Sequence, residues 1–338
     1  MSRFSDAQLP EKLPGELPDV ERHLRRLLDQ VPPGRVTTCG ALAAALGDPI
    51  AARWVGHFLL YHDHGDACAC HRVVLSDGRL GNYLGGDLAQ KARRLAIEGI
   101  KSPGGAVDLE RFRFDRFRGD RPLKHLRKWQ ESVAAAVRLR GPQRAPALAA
   151  GVDVSYPSPD RGVGAYVLVE YSSGRLLWHT TLAAKIEFPY ISTYLGFREL
   201  PIHLRLIEAA RSAGRLADVL LVDGSGILHP RHAGIATQLG VAVGMPTIGV
   251  SKKLLHGEVN LEGLGPAESR PVTENDRVLG VALRPAAGSR RPIFVCPGHR
   301  ISVAMAERVA RRFLSGHRLP NPLFWADRIS RMAGRGTG

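Results

Sequence analysis

Three places in the chain hold residue types that could do chemistry. Asp223 closes the apolar run 219–222 and is followed by Gly224 and Gly226. In open α/β sheets ligands collect outside the carboxyl ends of strands, so a carboxylate there is well placed, and the glycines free the backbone to turn sharply or approach a ligand. The same residues also fit an ordinary strand-to-helix turn with Asp223 in an Asx turn. A dinucleotide fingerprint fits worse, because the third glycine of G-x-G-x-x-G would fall on His229. Asp153 lies inside a second apolar run, 147–156. Cys70 stands beside His71, and a thiol, mostly protonated at neutral pH, becomes a nucleophile when an imidazole or a positive charge is near. The alternatives at Cys70 are a buried structural thiol or a metal site drawn from His62, His64, Cys68, Cys70 and His71, although that spacing matches no common zinc finger.

These groups need elements to position them. Over 20–30 the pattern VERHLRRLLDQ puts Val20, Leu24, Leu27 and Leu28 on one helical face, and VPPG stops it. Thr37 or Thr38 is suited to cap a helix over 40–46, and GDP breaks the chain before another over 50–61. Two short helices around a tight turn predict a helix-turn-helix, whose second helix enters a groove with Arg53 near its start; such pairs also serve as plain scaffolding. Residues 104–121 alternate charges with Phe112, Phe114 and Phe117, which suits either a strand of period two or a linker that packs on either domain. A helix over 123–139 follows. Strands are expected at 147–156, GVGAYVLVEY and GRLLWHTTLAA, then a helix to about 210, the Asp223 strand, a helix, the strands PTIGV, RVLGVAL and PIFVC, and a last helix over 301–314. Three antiparallel strands followed by alternating helix and strand is the order of a ribonuclease H-like mixed sheet flanked by helices. That sheet sets its first and fourth strands together, and with them Asp153 and Asp223. Two carboxylates so close repel, and one would hold its proton. A divalent cation removes the conflict, and oxygen ligands suit Mg²⁺; the alternative is two unrelated surface aspartates.

The chain has 338 residues, 44% apolar and 23% charged, which suits two globular domains of α/β class. Its net charge of +15 is uneven: the excess is +1 over 1–103, +4 over 104–130 and +10 over 131–338. Such a surplus fits a polyanionic partner, and no apolar run approaches a membrane span. Four cysteines in a chain this long do not make a secreted disulfide framework, and the opening residues hold acids and prolines where a signal peptide holds an apolar core. A reduced, cytoplasmic protein is expected.

VPPGRVTTCGALAAALGDP, AARWVG, CHRVV, GNYLGG and the Glu98-Gly99 pair resemble the DNA-binding and active-site domain of O6-alkylguanine-DNA alkyltransferases over about residues 20–100. The resemblance implies a winged helix-turn-helix fold in which Cys70 accepts an alkyl group from a flipped guanine in one irreversible turnover, His71 relays the proton and Glu98 orients His71. It also implies that Arg53 fills the gap left by the flipped base, which costs a few kcal/mol to unstack, and that Tyr83 lies in the pocket wall. The chain departs from the family pattern at Ala69, where a proline precedes the cysteine; at Cys39, where a tyrosine helps swing the nucleotide out; and at His62, where an asparagine braces the site. Those departures leave open a lesion sensor that binds without transfer, as in alkyltransferase-like proteins.

VDVSY, FPYISTYLGFRE, DGSGILHPRHAGIATQLG, IGVSKK and PGHRIS resemble endonuclease V, in the family's order, across nearly all of 123–316. The resemblance implies Mg²⁺-dependent nicking, with Mn²⁺ as a substitute, at the second phosphodiester 3′ to deoxyinosine. It implies that Asp153, Glu199 and Asp223 hold the metal with His299 near it, and that Lys252 contacts phosphates or the attacking water. Pro189, Tyr190 and Ile191 would form a wedge that separates the strands, with Ser192 replacing a second proline. His229, Pro230 and Arg231 would line the DNA side, and Gly224 the inosine pocket. Glu199 is expected at a helix start, where a carboxylate is favoured. The expected layout is an arm over 1–18, the alkyltransferase-like domain over 19–103, a linker over 104–121, the endonuclease V domain over 122–330 and a tail over 331–338. The expected partner is damaged single- or double-stranded DNA, bound by a monomer with no small-molecule cofactor; inosine in RNA is the alternative substrate.

Overall fold

The computed structural model describes residues 17–63, 68–141 and 144–335. Most of the arm expected over 1–18, and His64, lie outside the described residues. The chain divides into two compact units, one taking in Glu16–Lys128 with Phe188–Ser192, the other Trp129–Glu187 with the residues from Thr193 on.

In the first unit α1 (Val20–Leu28) buries Val20, Leu24, Leu27 and Leu28, the face its periodicity predicts, and Asp19 caps it by accepting from the Arg22 N–H. Strand β1 (Thr37–Thr38) leads straight into α2 (Cys39–Leu46), where the Thr38 hydroxyl accepts from the Ala41 N–H. Gly47 ends α2 at φ 109°, and a Cβ there would come within 2.6 Å of the Lys124 nitrogen, so only glycine fits the turn. Helix α3 (Ala52–Tyr61) follows a single 3₁₀ turn and carries exposed Arg53 in its first turn. Strand β2 (Val73–Val74) pairs parallel with β1, and α4 (Leu88–Ile97) is capped by Asp87. Residues 104–121 are not a period-two strand; they pack on the first unit. They hold one helical turn, α5 (Leu109–Phe112), and Val36 accepts from Phe114 and donates to the Phe112 carbonyl. Val107 joins Val36, Val74, Leu80, Leu95 and Ile100 in the core of this unit. Helix α6 (Pro122–Ala135) comes next.

The second unit is built on one eight-stranded sheet. Its strands are β3 (Leu148–Ser158), β4 (Arg161–Glu170), β5 (Leu176–Lys185), β6 (Val219–Asp223), β7 (Thr247–Ser251), β8 (Ser269–Glu274), β9 (Arg277–Leu283) and β10 (Ile293–His299), in the order β5-β4-β3-β6-β7-β10-β9-β8. Only β3, β6 and β7 run parallel, as the ribonuclease H-like order requires. Helices α7 (Leu195–Ser212) and α8 (Ile235–Val243) supply the core on one face, and α9 (Val303–Arg312) and α10 (Asn321–Arg335) that on the other. Strand β8 and helix α10 were not foreseen. Helix α10 also runs through the first residues of the segment expected as a tail. It lies against β3 at Gly151, where a Cβ would meet the Pro322 carbonyl oxygen at 2.2 Å. No helix of the described residues is long and apolar enough to cross a membrane.

Two candidate active sites

Sheet register brings the first pair of carboxylates together. Val152 of β3 is the registered partner of Val222 of β6, so the next residues, Asp153 and Asp223, leave adjacent parallel strands side by side. Side chains alternate along a strand. Ala149 and Leu221 therefore face the core under α9 and α10, and Asp153 and Asp223 continue that face to its open end. There a cavity of about 700 Å³ is lined by Asp153, Tyr156, Glu199, Asp223, Lys252 and Asp327. Burial first, then the charges of Asp223, Glu199 and Asp327, lift Asp153 well above the carboxylate range, while Lys252 pulls it back. Asp223 is raised too, by burial, with Lys252 opposing. Lys252 Nζ donates to Asp223 Oδ2 at 2.8 Å; burial works against its ammonium, but Asp223, Asp153 and Asp327 together hold its pKa above the usual lysine value. Glu199 sits a full turn into α7 rather than at its start, so the helix-end argument for it fails. Instead it is buried and accepts from the Tyr156 hydroxyl at 2.5 Å.

Asp327 joins this cavity without any motif to announce it. Helix α10 delivers it to the cavity, where Arg331, one turn on, donates to Oδ1 at 2.8 Å. Pro322 after Pro320 and Asn321 was the available signal for a helix start. His299, in contrast, is not brought to the carboxylates. In β7 its partner is Thr247, whereas Asp223 is paired with Val250. Three residues along a strand amount to about 10 Å, so His299 sits at the opposite end. It is buried, accepts from the Arg138 N–H through Nδ1 at 3.4 Å, and is pulled down to about 4 by burial and then by Arg300 and Arg138.

Of the residues that the endonuclease V motifs offer to nucleic acid, Tyr190 is exposed, Pro189 half-buried and Ile191 buried, and all three group with the first unit. His229 is buried and donates from Nε2 to the Thr193 carbonyl, while Nδ1 accepts from the Arg231 N–H; burial and then Arg231 lower it to about 3. Arg231 donates to Thr193 and Gln130 and stacks over Tyr194, so these two residues brace the protein around Thr193. Gly224 has φ 145°, and a Cβ there would strike Ile235 at 2.4 Å.

The first unit holds the other site. Cys70 and His71 lie in one short 3₁₀ segment, and both are buried. His71 Nε2 is 2.8 Å from Glu98 Oε1, the expected relay contact, but Nδ1 faces the Cys68 carbonyl at 3.2 Å. Burial lowers the His71 pKa against the pull of Glu98. Arg72, to which no role had been given, grips Glu98 with Nε and Nη2 at 2.7–3.0 Å. Burial opposes the Glu98 anion, yet Arg72, His71 and the Gly34 N–H outweigh it and hold the carboxyl at about 2. The neighbouring Cys68 thiol and then burial keep the proton on Cys70, while Tyr83 and Arg94 oppose this. Tyr83 is buried and its hydroxyl accepts from Arg94 at 3.1 Å. Of the five residues considered for zinc, His62, Cys68 and Cys70 place ligand atoms within 4.8 Å of one another, while His71 turns to Glu98.

The model of the endonuclease V family matches residues 131–328, and that of the 6-O-methylguanine DNA methyltransferase DNA binding domain matches residues 19–100. A bifunctional methyltransferase/endonuclease of Picrophilus torridus is 35% identical over 300 residues, covering 88% of this chain and 92% of its own. The crystal structure of human ENDOV shares 32% identity at a TM-score of 0.58, covering 63% of this chain and 98% of that one. Ciona intestinalis endonuclease V, solved with a 24mer DNA containing an inosine followed by a ribo-adenosine, shares 26% identity at a TM-score of 0.58, covering 65% of this chain and 100% of that one. The chain therefore belongs to the endonuclease V family and carries, ahead of that domain, the DNA-binding domain of the 6-O-methylguanine DNA methyltransferases.

Proposed function

We propose a bifunctional DNA-repair protein that nicks deoxyinosine-containing strands with Mg²⁺ at the second phosphodiester 3′ to the lesion and takes the alkyl group of O6-alkylguanine onto Cys70. The nuclease reading rests on the meeting of Asp153, Glu199, Asp223 and Asp327 with Lys252 in one cavity. An all-oxygen donor set suits Mg²⁺ or Mn²⁺. Repulsion from neighbouring acids adds to burial in raising Asp153 and Asp223, and a dication would relieve it. Those four carboxylates would hold the ion, which when bound lowers the pKa of attacking water and offsets charge on the leaving oxygen. Lys252 adds a positive charge beside the phosphate path, and Tyr156 holds the Glu199 carboxylate in place. The bifunctional name of the Picrophilus relative and the inosine-bearing strand of the Ciona structure support the reading. Asp223→Ala should abolish Mg²⁺-dependent nicking of a deoxyinosine strand; retained nicking would place the site elsewhere. Equal cleavage of DNA and RNA inosine strands would overturn the DNA preference.

In the other half the Sγ–carbon bond forms as the carbon–O6 bond breaks, and the thiol proton passes by way of His71 to the guanine. One observation favours the second reading, a lesion sensor without transfer: His71 Nδ1 faces the Cys68 carbonyl and Nε2 faces Glu98. Intact mass after incubation with an O6-methylguanine oligonucleotide separates the two. A gain of one methyl group that vanishes in Cys70→Ala establishes transfer. No gain, with lesion binding intact, makes this half a sensor.

A further inference from the structure

A third cluster belongs to neither site. His256 Nε2 lies 2.5 Å from Glu274 Oε1, and His232 Nε2 lies 3.2 Å from Glu274 Oε2. One ligand atom from each of the three falls within 4.8 Å of the others. None of them lines the carboxylate cavity. We propose that His232, His256 and Glu274 form a binding site for a transition-metal dication of the zinc type, which clamps the loop 226–234 to the β8–β9 hairpin.

The donors arrive from three separate segments, and each is held by its backbone. Glu274 is the last residue of β8, paired with Arg277 across a turn whose central residues, Asn275 and Asp276, have φ of 47° and 62°. That is the two-residue turn that twists with its strands, and it fixes the direction of Glu274. His256 lies two residues before Glu258, which exchanges both backbone hydrogen bonds with Thr273. His232 has φ 50°, an uncommon backbone for a non-glycine residue, inside a loop closed by the Gly234 N–H on the Gly226 carbonyl.

Hydrogen bonding then sets what His232 presents. Its Nδ1 is 3.0 Å from the Ile227 carbonyl, an acceptor only, so Nδ1 carries the hydrogen. In the neutral ring Nε2 then bears the lone pair, and that lone pair faces a carboxylate oxygen. Two acceptors so placed repel unless a proton or a cation lies with them. A carbonyl behind Nδ1 is the second-shell arrangement that orients a metal-binding imidazole. Two imidazoles with one carboxylate are the donor set of zinc and related dications. All three side chains are half-buried, so the remaining coordination positions open to solvent.

The test uses the full chain in saturating Mg²⁺, titrated with Zn²⁺ and read by bound metal per chain and by melting temperature. His232→Gln, His256→Gln and Glu274→Gln should each bind one equivalent fewer than the parent, and each should lose the Zn²⁺-dependent rise in melting temperature. Cys68→Ser, which alters the thiol cluster near Cys70, should keep both. If one variant fails to fold, the other two carry the comparison. Unchanged stoichiometry in the folded variants, or loss of this equivalent in Cys68→Ser alone, would overturn the proposal and leave a proton-bridged His–Glu–His cluster.

Discussion

Glu98, half-buried, and Asp153, buried, are carboxylates of the same chain whose surroundings push them in opposite directions. Glu98 is ringed by donors, with Arg72, His71 and the Gly34 N–H all turned on it, so its charge is satisfied at rest. Asp153 is ringed by other acids, and Lys252 offsets them only in part. The first site is an internally complete polar network, suited to holding an imidazole still. The second leaves like charges crowded together, the arrangement expected of a place that binds a cation.

Three experiments would break or sharpen that contrast. Lys252→Ala should have the largest effect. Loss of one positioned positive charge lowers a rate by about a hundred- to a thousandfold, yet it also frees Asp223, so the Mg²⁺ concentration for half-maximal nicking should fall. A rise in that concentration would mean that Lys252 helps to hold the ion. Glu98→Gln comes next: if His71 relays a proton, alkyl transfer should slow by about a hundredfold, the lower end of what general acid–base catalysis contributes. Nicking should not change. An unaltered transfer rate would show that the Glu98–His71 contact is structural.

The smallest and most diagnostic effect is the pH dependence of stability, which should carry opposite signs in the two sites. Glu98 has a depressed pKa, so its contribution is complete above the ordinary 4.5 and is lost as pH falls toward about 2. Asp153 has a raised pKa. Its native form holds the proton longer than the unfolded chain does, so metal-free protein should lose stability as pH rises from 3.8 through the elevated value. Melts at a series of pH values in chelator should show that decline, and Mg²⁺ should reverse it most at the high end. Asp153→Asn should flatten it; an unchanged slope would put the repulsion on other groups.

Much of this was legible in the chain itself. The helical face of Val20, Leu24, Leu27 and Leu28 and a threonine cap at 37 or 38 follow from local pattern, and the strand order, through its likeness to a ribonuclease H-like sheet, sets Asp153 beside Asp223. So does the His71–Glu98 pairing, through motif resemblance. Less was legible where a residue's neighbours come from distant segments. His299 stood in a matched motif beside the right residue types, yet antiparallel pairing of β10 with β7 carries it to Thr247 and away from the acids. For the segment 104–121 the sequence leaves open a strand or a linker packed on either domain, and backbone bonds to Val36 tie it into the first unit.

The sequence by itself determined which residue types recur in order and which faces must be buried, because hydrophobic period and turn chemistry are properties of neighbours along the chain. It placed two carboxylates at strand positions and one cysteine before a histidine. Only the tertiary structure decided that Asp327 completes the cavity, that Arg72 grips Glu98 and that His256 meets Glu274. Such contacts depend on strand register and on how closely a helix lies on a sheet. At Gly151 that distance is set by the absence of one carbon atom, which no pattern along the chain records.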